Sequence, residues 1–424
     1  MDWNPPHRRP VALPGPWPAC AQALLREGAA WLHTGQDRPG DGGGDLLALP
    51  GGPRLETRWD GSTWVTTREG RPLRAAPWEA LDAFRSEGLP LVGAATFELA
   101  CAEGGHAHQP PPTGFLGQRW IGVREALRVE GSRAELWSWG AAPPGPPAWG
   151  ASCALGRLAF QLQPRWEAPR HRAALEEAQS RIREGGFYVA NLCVPFEGPF
   201  AGDPVTLALA AFRRARPPYG AFLPWGDPTL LCLSMERLLA RRGDRLWTEP
   251  IKGSLPLASE PGALAADPKE KAEHTMIVDL QRNDLGRVSR AGSVRVTRLR
   301  QEEDFATVRH LVSCVEGELR DGLGLPEILR ALLPGGSVTG APKHAVCDWL
   351  AATEAGPRGF YCGALGWIHP DGDFDLCMPI RTAQIRGDRL TYWAGGGLTR
   401  RSDPAREWEE LHLKTRALTQ IMPS

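Results

Sequence analysis

The chain has 424 residues, 42% of them hydrophobic and 17 of them Trp, enough to bury a substantial core in one large domain or about two or three smaller ones. Lys plus Arg and Asp plus Glu balance at 49 each and the basic residues are dispersed, which argues against a nucleic-acid surface. No apolar run approaches the roughly 20 residues of a membrane span, the N-terminus lacks a signal-peptide pattern, and nine Cys without a C-x-x-C pair fit neither a disulfide scaffold nor a structural zinc site, so the cytoplasm is the expected location.

Residues 1–140 read as irregular segments with short strands, such as Arg54–Arg58 and Trp64–Arg68 on either side of Asp60-Gly61. The Pro-rich stretch 141–147 predicts a linker or surface loop between an N-terminal region, 1–150, and a second region, 156–424. Arg170–Glu184 predicts a helix closed by Gly185-Gly186, followed by a strand over Phe187–Phe196. Thr229–Ala240 and Arg245–Ile251 predict further strands.

Asp267-Pro268-Lys269-Glu270 is a helix start, with Asp as cap, Pro at the first helical position and Glu completing a capping box. That helix is expected to run to about Leu285 and stop at Gly286. Phe360–His369, Phe374–Ala383 and Arg389–Gly395 predict a strand meander joined at Pro370-Asp371-Gly372 and Gly387-Asp388. Asp403-Pro404 opens a last helix to about Gln420. The expected architecture is an antiparallel-rich sheet with flanking helices.

Only five of the 49 basic residues are Lys (Lys252, Lys269, Lys271, Lys343 and Lys414), and the first 251 residues hold none. Arg stays protonated, whereas Lys can lose its proton and act as nucleophile or base, so Lys252 in Pro250-Ile251-Lys252-Gly253-Ser254 is the expected reaction centre. Glu270 and Glu273 share one helix face, as do Glu407 and Glu410. If those faces meet, the carboxylates suit a hard cation such as Mg²⁺ held jointly with a substrate; otherwise they are acidic residues favoured by the helix macrodipole. Pro334–Lys343 is a Gly-rich turn before a helix. It serves as an anion nest or a plain turn, and Ala341 in place of the required Lys rejects a nucleotide P-loop. Ala394-Gly395-Gly396-Gly397 poses the same choice.

His310 reads as a core histidine or a functional one. Glu236, in an apolar strand, is either paired with Arg237 or kept protonated by desolvation, which would make it a general acid. Arg381 reads as an ion-pair partner or a carboxylate clamp.

In their joint order, the segments Gly185–Leu192, Ser234–Leu239, Pro250–Ser254, Lys269–Val288, His310–Val315, Pro334–Lys343, Gly363–Ile368, Ile380–Thr382 and Ala394–Lys414 resemble the chorismate-utilising enzymes. That family includes anthranilate synthase component I, the aminodeoxychorismate, isochorismate and salicylate synthases. The N-terminal part matches more loosely, through Trp31–Gly35 and Val92–Leu99. The resemblance implies an α/β (α+β type) fold like that of anthranilate synthase component I, a large antiparallel-rich β-sheet sandwich with flanking helices, with residues 1–150 packed into the same core.

Within the family, the isochorismate and salicylate enzymes carry a water-activating Lys where this chain has Val189, and anthranilate synthases have Ala where it has Lys252. The Pro-Ile-Lys-Gly pattern resembles the aminodeoxychorismate synthase branch, in which this Lys is a nucleophile. The resemblance then implies that Glu236 protonates the departing C4 hydroxyl of chorismate while Lys252 adds at C2. Ammonia, from a separate glutamine amidotransferase subunit, would next attack C4 and expel Lys252. The product would be 4-amino-4-deoxychorismate, on the way to 4-aminobenzoate and folate.

It further implies Mg²⁺ on Glu273 and Glu410, supported by Glu270 and Glu407. Substrate contacts would come from Ser337, Thr339, Gly340, Trp367, Arg381, Gly396, Gly397 and Lys414, with His310 beside the reacting carbons. The chain departs from the pattern at Gly186, Val189, Met235, Trp367 (for a Tyr whose hydroxyl meets the substrate) and Arg401. Its tryptophan-binding element reads Leu32-His33-Thr34-Gly35, which speaks against feedback inhibition by tryptophan.

Overall fold

The computed structural model describes residues 7–34, 44–139, 156–305 and 308–421, leaving the Pro-rich stretch 141–147 and Gly35 outside the described residues. Among these, two large sheets of thirteen and twelve strands are paired antiparallel throughout and flanked by helices. The thirteen-stranded sheet passes from Ala30–Thr34 through Tyr219–Leu223, Thr229–Ser234, Thr382–Arg386 and Arg389–Leu398 to Val189–Ala201. The twelve-stranded sheet passes from Ile251–Pro256 through Val308–Glu318, Arg245–Glu249, Arg237–Arg242, Phe374–Cys377 and Ala364–Ile368 to Leu91–Ala95. Side chains from both sheets, Leu32, Leu46, Ala221 and Cys232 from one and Val92, Leu365, Trp367 and Cys377 from the other, fill the layer between them. Sandwich packing of this kind removes both inner faces from water.

Strands of the first 139 residues extend both sheets. Gly220 pairs with His33 in one, and Ala364–Ile368 pairs along Leu91–Ala95 in the other. The strand Val189–Ala201 reads as almost continuously apolar because both of its faces are covered. Ala190, Leu192, Val194 and Phe196 pack under the helix residues Leu175, Trp349 and Leu411, while Cys193 faces the opposite core.

Three expected strands are each divided in two. The run 229–240 breaks at Met235-Glu236, ending as Thr229–Ser234 in one sheet and resuming as Arg237–Arg242 in the other. The run 374–383 breaks at 378–381 in the same way, and Pro250, which has no N–H to give a ladder, separates Arg245–Glu249 from Ile251–Pro256. The two crossings are zipped together. Ser234 Oγ donates to the Met378 carbonyl at 2.6 Å, and the Met378 N–H donates to the Glu236 carbonyl at 3.0 Å. Nothing in the alternation of side chains marks these breaks, because residues 229–240 are buried on both faces.

The glycines 395–397 belong to a strand rather than to a turn. Arg389–Leu398 runs through them and pairs Gly395, Gly396 and Gly397 with Cys193, Leu192 and Asn191. Small residues are needed there for space: a Cβ at Gly395 would stand 2.3 Å from Cys193 Sγ. The helices follow expectation closely, as Ala168–Arg183, Pro268–Gly286 and Pro404–Thr419, with Asp267 accepting from Glu270 N–H and Asp403 from Ala405 and Arg406 N–H. No helix among the described residues is long and apolar enough to cross a membrane.

Candidate active site

A cleft opens where the strands Val189–Ala201, Ile251–Pro256 and Arg389–Leu398, the helix Pro268–Gly286 and the Gly-rich segment 334–343 meet. Lys252, Glu273, Ser337, Thr339, Gly340 and Gly397 line it, together with Val189, Asn191, Met276, Ile277, Gly336 and Thr399.

Ser337 joins the two groups with the most reactive chemistry. Its hydroxyl donates to Glu236 Oε1 at 2.6 Å, and its carbonyl accepts from Lys252 Nζ at 3.3 Å. Glu236 lies in the break between sheets, 5% exposed. Burial raises its pKa above the ordinary carboxylate value, while the Ser337 hydroxyl and the Lys252 charge pull the other way. Arg237 is not its partner. Arg237 instead pairs with Glu249 at 2.6 Å and Asp375 at 3.0 Å. Glu236 is therefore a buried carboxyl with a raised pKa, suited to donating a proton.

The Gly-rich segment is a short 3-10 turn, Gly336–Val338, followed by Gly340–Ala341, which pairs with Val189 and Ala190. Gly340 has φ +147°, and a Cβ there would lie 2.1 Å from the Val189 carbonyl oxygen, so only Gly allows this approach. Thr339 is fully buried; its hydroxyl donates to the Gly335 carbonyl at 2.9 Å, and its own carbonyl accepts from Asn191 N–H at 2.7 Å. Lys343 Nζ pairs with Asp284 at 2.9 Å, both buried, tying the segment to the helix Pro268–Gly286.

His310 stands beside the cleft lining and acts on the Lys252 strand. Its Nδ1 lies 2.5 Å from the Gly253 carbonyl, which can only accept, so that nitrogen carries the proton. Nδ1 is also 3.0 Å from Ser254 Oγ, and Nε2 faces Met235 Sδ at 3.2 Å. Burial pushes the imidazole down to about 4, with the nearby Arg381 charge adding to the effect against the Gly253 bond, so it is neutral near pH 7. Arg381, at φ +51°, is desolvated beside Tyr392 and Tyr361, and no carboxylate among the described residues pairs with it. Trp367 does not line the cleft. Its strand carries it into the layer between the sheets, 3% exposed, with the Arg242 guanidinium 4.8 Å from the ring centre.

The four Glu candidates come from two helices, Glu270 and Glu273 from Pro268–Gly286 and Glu407 and Glu410 from Pro404–Thr419. Glu273 lines the cleft, and a Glu270 oxygen lies 2.9 Å from where a Gly253 Cβ would stand. Glu407, 8% exposed, puts an oxygen 3.0 Å from where a Gly396 Cβ would stand. Glu410 is half exposed and pairs with Lys414 at 2.7 Å, and Lys414 Nζ donates to the Gly395 carbonyl at 2.6 Å. Among the described residues no three His, Cys, Asp or Glu side chains already converge as a metal cluster. The all-oxygen donor set and the cradle left open at Gly396 nonetheless fit a hard cation whose shell a ligand completes.

Lys343–Asp284, Asn191, Met276 and Ile277 went unread in the sequence. Asp284 alone carried a signal, as an acidic residue on a helix face otherwise occupied by Ile277 and Leu280.

Fold and cleft together define an enzyme whose site combines a buried acid, an amine and oxygen ligands. The chain belongs to the chorismate binding enzyme family, whose pattern matches residues 52–420. It is 41% identical over 256 residues to an anthranilate synthase component 1 of Haloarcula marismortui, covering 58% of this chain and 52% of that protein. An aminodeoxychorismate synthase of Streptomyces pristinaespiralis is 34% identical over 462 aligned positions, covering 96% of this chain and 64% of that protein. The chain thus spans about half to two thirds of the length of these curated relatives. Among solved structures, anthranilate synthase component I from Streptococcus pneumoniae superposes with a TM-score of 0.77 at 25% identity, over 91% of this chain and 93% of that one.

Proposed function

We propose that the protein is an aminodeoxychorismate synthase subunit, converting chorismate and ammonia to 4-amino-4-deoxychorismate. The observation that carries this reading is the convergence of Lys252 and Glu236 on Ser337. Lys252, once neutral, forms a bond from Nζ to C2 of chorismate as the ring double bonds shift and the C4–O bond breaks. Glu236 gives its proton to the departing hydroxyl, which leaves as water. Ammonia then bonds to C4, the double bonds shift back and the C2–Nζ bond breaks. With Lys252 occupying the approach to C2, the amine is directed to C4.

Arg381, desolvated and without a carboxylate partner among the described residues, supplies charge for a substrate carboxylate. Lys414 and the strand glycines Gly396 and Gly397 would contact the substrate on one side and the cleft residues Ser337, Thr339 and Gly340 on the other, while His310 holds the Gly253 irregularity next to Lys252. Glu273 and Glu410 would hold Mg²⁺, with Glu270 and Glu407 in support; when bound it supplies positive charge to orient the ring carboxylate. Trp367 has no assigned role at the substrate.

The source of ammonia is proposed to be a glutamine amidotransferase subunit, in keeping with the component 1 naming of relatives. The eight described free cysteines, all buried, suit the reducing cytoplasm.

A second reading, anthranilate synthase, is favoured by the relative of 41% identity. It would release pyruvate and an aromatic amine. Incubation with chorismate, ammonia and Mg²⁺ followed by mass identification of the product decides: an aminated chorismate without pyruvate supports the first reading, and pyruvate with anthranilate fluorescence overturns it.

A further inference from the structure

A fully buried polar hub lies behind the cleft and is used by none of the steps above. Arg358, 1% exposed, spends its guanidinium on four hydrogen bonds. Nε and Nη2 clasp Glu354 at 2.8 and 2.7 Å, Nη1 donates to the Val338 carbonyl at 2.8 Å, and Nη2 also donates to the Asn191 carbonyl at 2.8 Å. Val338 sits between Ser337 and Thr339, and Asn191 lines the cleft, so both backbone targets border the site. Glu354 also accepts the Cys193 N–H at 2.8 Å.

The hub is anchored from the N-terminal region. Glu98, on the helix Phe97–Glu103, accepts the Arg358 and Gly359 N–H groups at 2.6 and 3.1 Å, and the Phe97 N–H donates back to the Gly359 carbonyl at 2.9 Å. The Arg358 guanidinium lies over the Phe97 ring at 4.3 Å, and Gln384 Nε2 holds the Arg358 carbonyl at 2.9 Å. Burying a guanidinium with carboxylates costs desolvation that an apolar cluster would avoid, so stability alone does not account for the arrangement. What the planar fork adds is a fixed spacing between two backbone carbonyls at the cleft.

We propose that Glu98 and Arg358 are positioning residues: helix Phe97–Glu103 sets Arg358, and Arg358 sets the Ser337 segment against the Asn191 strand. Neither side chain can reach substrate, since both are enclosed. The kinetic part rests on the chorismate reading above; the structural part does not.

The test uses Arg358→Lys, which keeps the charge but loses the fork, and Glu98→Gln, which keeps the shape and one acceptor. Hydrogen exchange is followed at 335–340 and at the remote strand Glu125–Glu130, beside kcat and KM for chorismate. In folded protein, exchange at 335–340 is expected to rise about tenfold in Arg358→Lys and less in Glu98→Gln with Glu125–Glu130 unchanged, while kcat/KM falls about tenfold or more. Unchanged exchange at 335–340 in both variants overturns the proposal. If Arg358→Lys does not fold, Glu98→Gln decides alone. If the wild type does not aminate chorismate, the functional reading fails and the exchange result still decides this one.

Discussion

Around one cleft, Glu236, Ser337 and Lys252 are tied by hydrogen bonds of 2.6 and 3.3 Å beside the crossing of two sheets, whereas the four Glu candidates come from two different helices, with Glu410 half exposed and paired with Lys414. The first part is set before any ligand arrives. The second has the right donors but no closed coordination shell among the described residues. On the proposed reading, the bond-making groups are preorganised by the fold and the cation side is finished by the substrate, so that ion and chorismate are expected to bind together.

The sharpest way to break the comparison is at the preset side. Lys252→Ala is expected to lower aminodeoxychorismate formation by about three orders of magnitude or more, read by product mass, with chorismate binding retained. Wild-type rates in this variant would remove the nucleophile from the mechanism. Glu236→Gln keeps the Ser337 contact but has no proton to give, and is expected to cost on the order of 10²–10⁴ in kcat. A rise in KM with kcat unchanged would instead assign Glu236 to binding.

The cation side should respond differently. Glu273→Gln is expected to raise the Mg²⁺ concentration for half-maximal rate on the order of tenfold to a hundredfold, with a smaller change for Glu270→Gln. EDTA should abolish turnover and Mg²⁺ restore it. If substrate completes the shell, Mg²⁺ affinity measured calorimetrically will be higher with chorismate present; equal affinities with and without it would contradict the division drawn here.

The smallest effect is one of stability. Burial pushes Glu98 up to about 7 from the ordinary carboxylate range, so the native state keeps a proton that the unfolded chain has lost. Native stability from this group therefore falls as pH rises through that interval. Glu98→Gln removes the dependence. Relative to wild type, the variant should gain on the order of 1–3 kcal/mol between about pH 5 and pH 7.5 in urea titrations. Parallel curves would show that Glu98 does not titrate in that window.

Much of this was legible in the chain, and unevenly so. Caps at Asp267 and Asp403 marked two helices to within a residue or two, because capping is local chemistry. Lys252 stood out as one of only five Lys, and Glu236 as a carboxylate in an apolar strand. That Glu236 sits at a crossing between sheets was invisible, since strand pairing is decided by distant segments and residues 229–240 are buried on both faces. The glycines 395–397 signalled a turn but serve a strand, where Cys193 leaves no space for a Cβ at Gly395. Spacing put each Glu pair on one helix face, but how the two faces stand to one another depends on how the helices dock. Arg358 carried no sequence signal, because its role lies wholly in contacts with Glu98, Val338 and Asn191.

The central claim is that Lys252 bonds to the substrate, and it can be caught directly. Protein incubated with chorismate and Mg²⁺ without ammonia, then acid-quenched and digested, should yield a peptide containing Lys252 heavier by chorismate less one water, and added ammonia should discharge it with formation of the aminated product. Steady turnover with no such adduct, together with an active Lys252→Ala variant, would contradict the account.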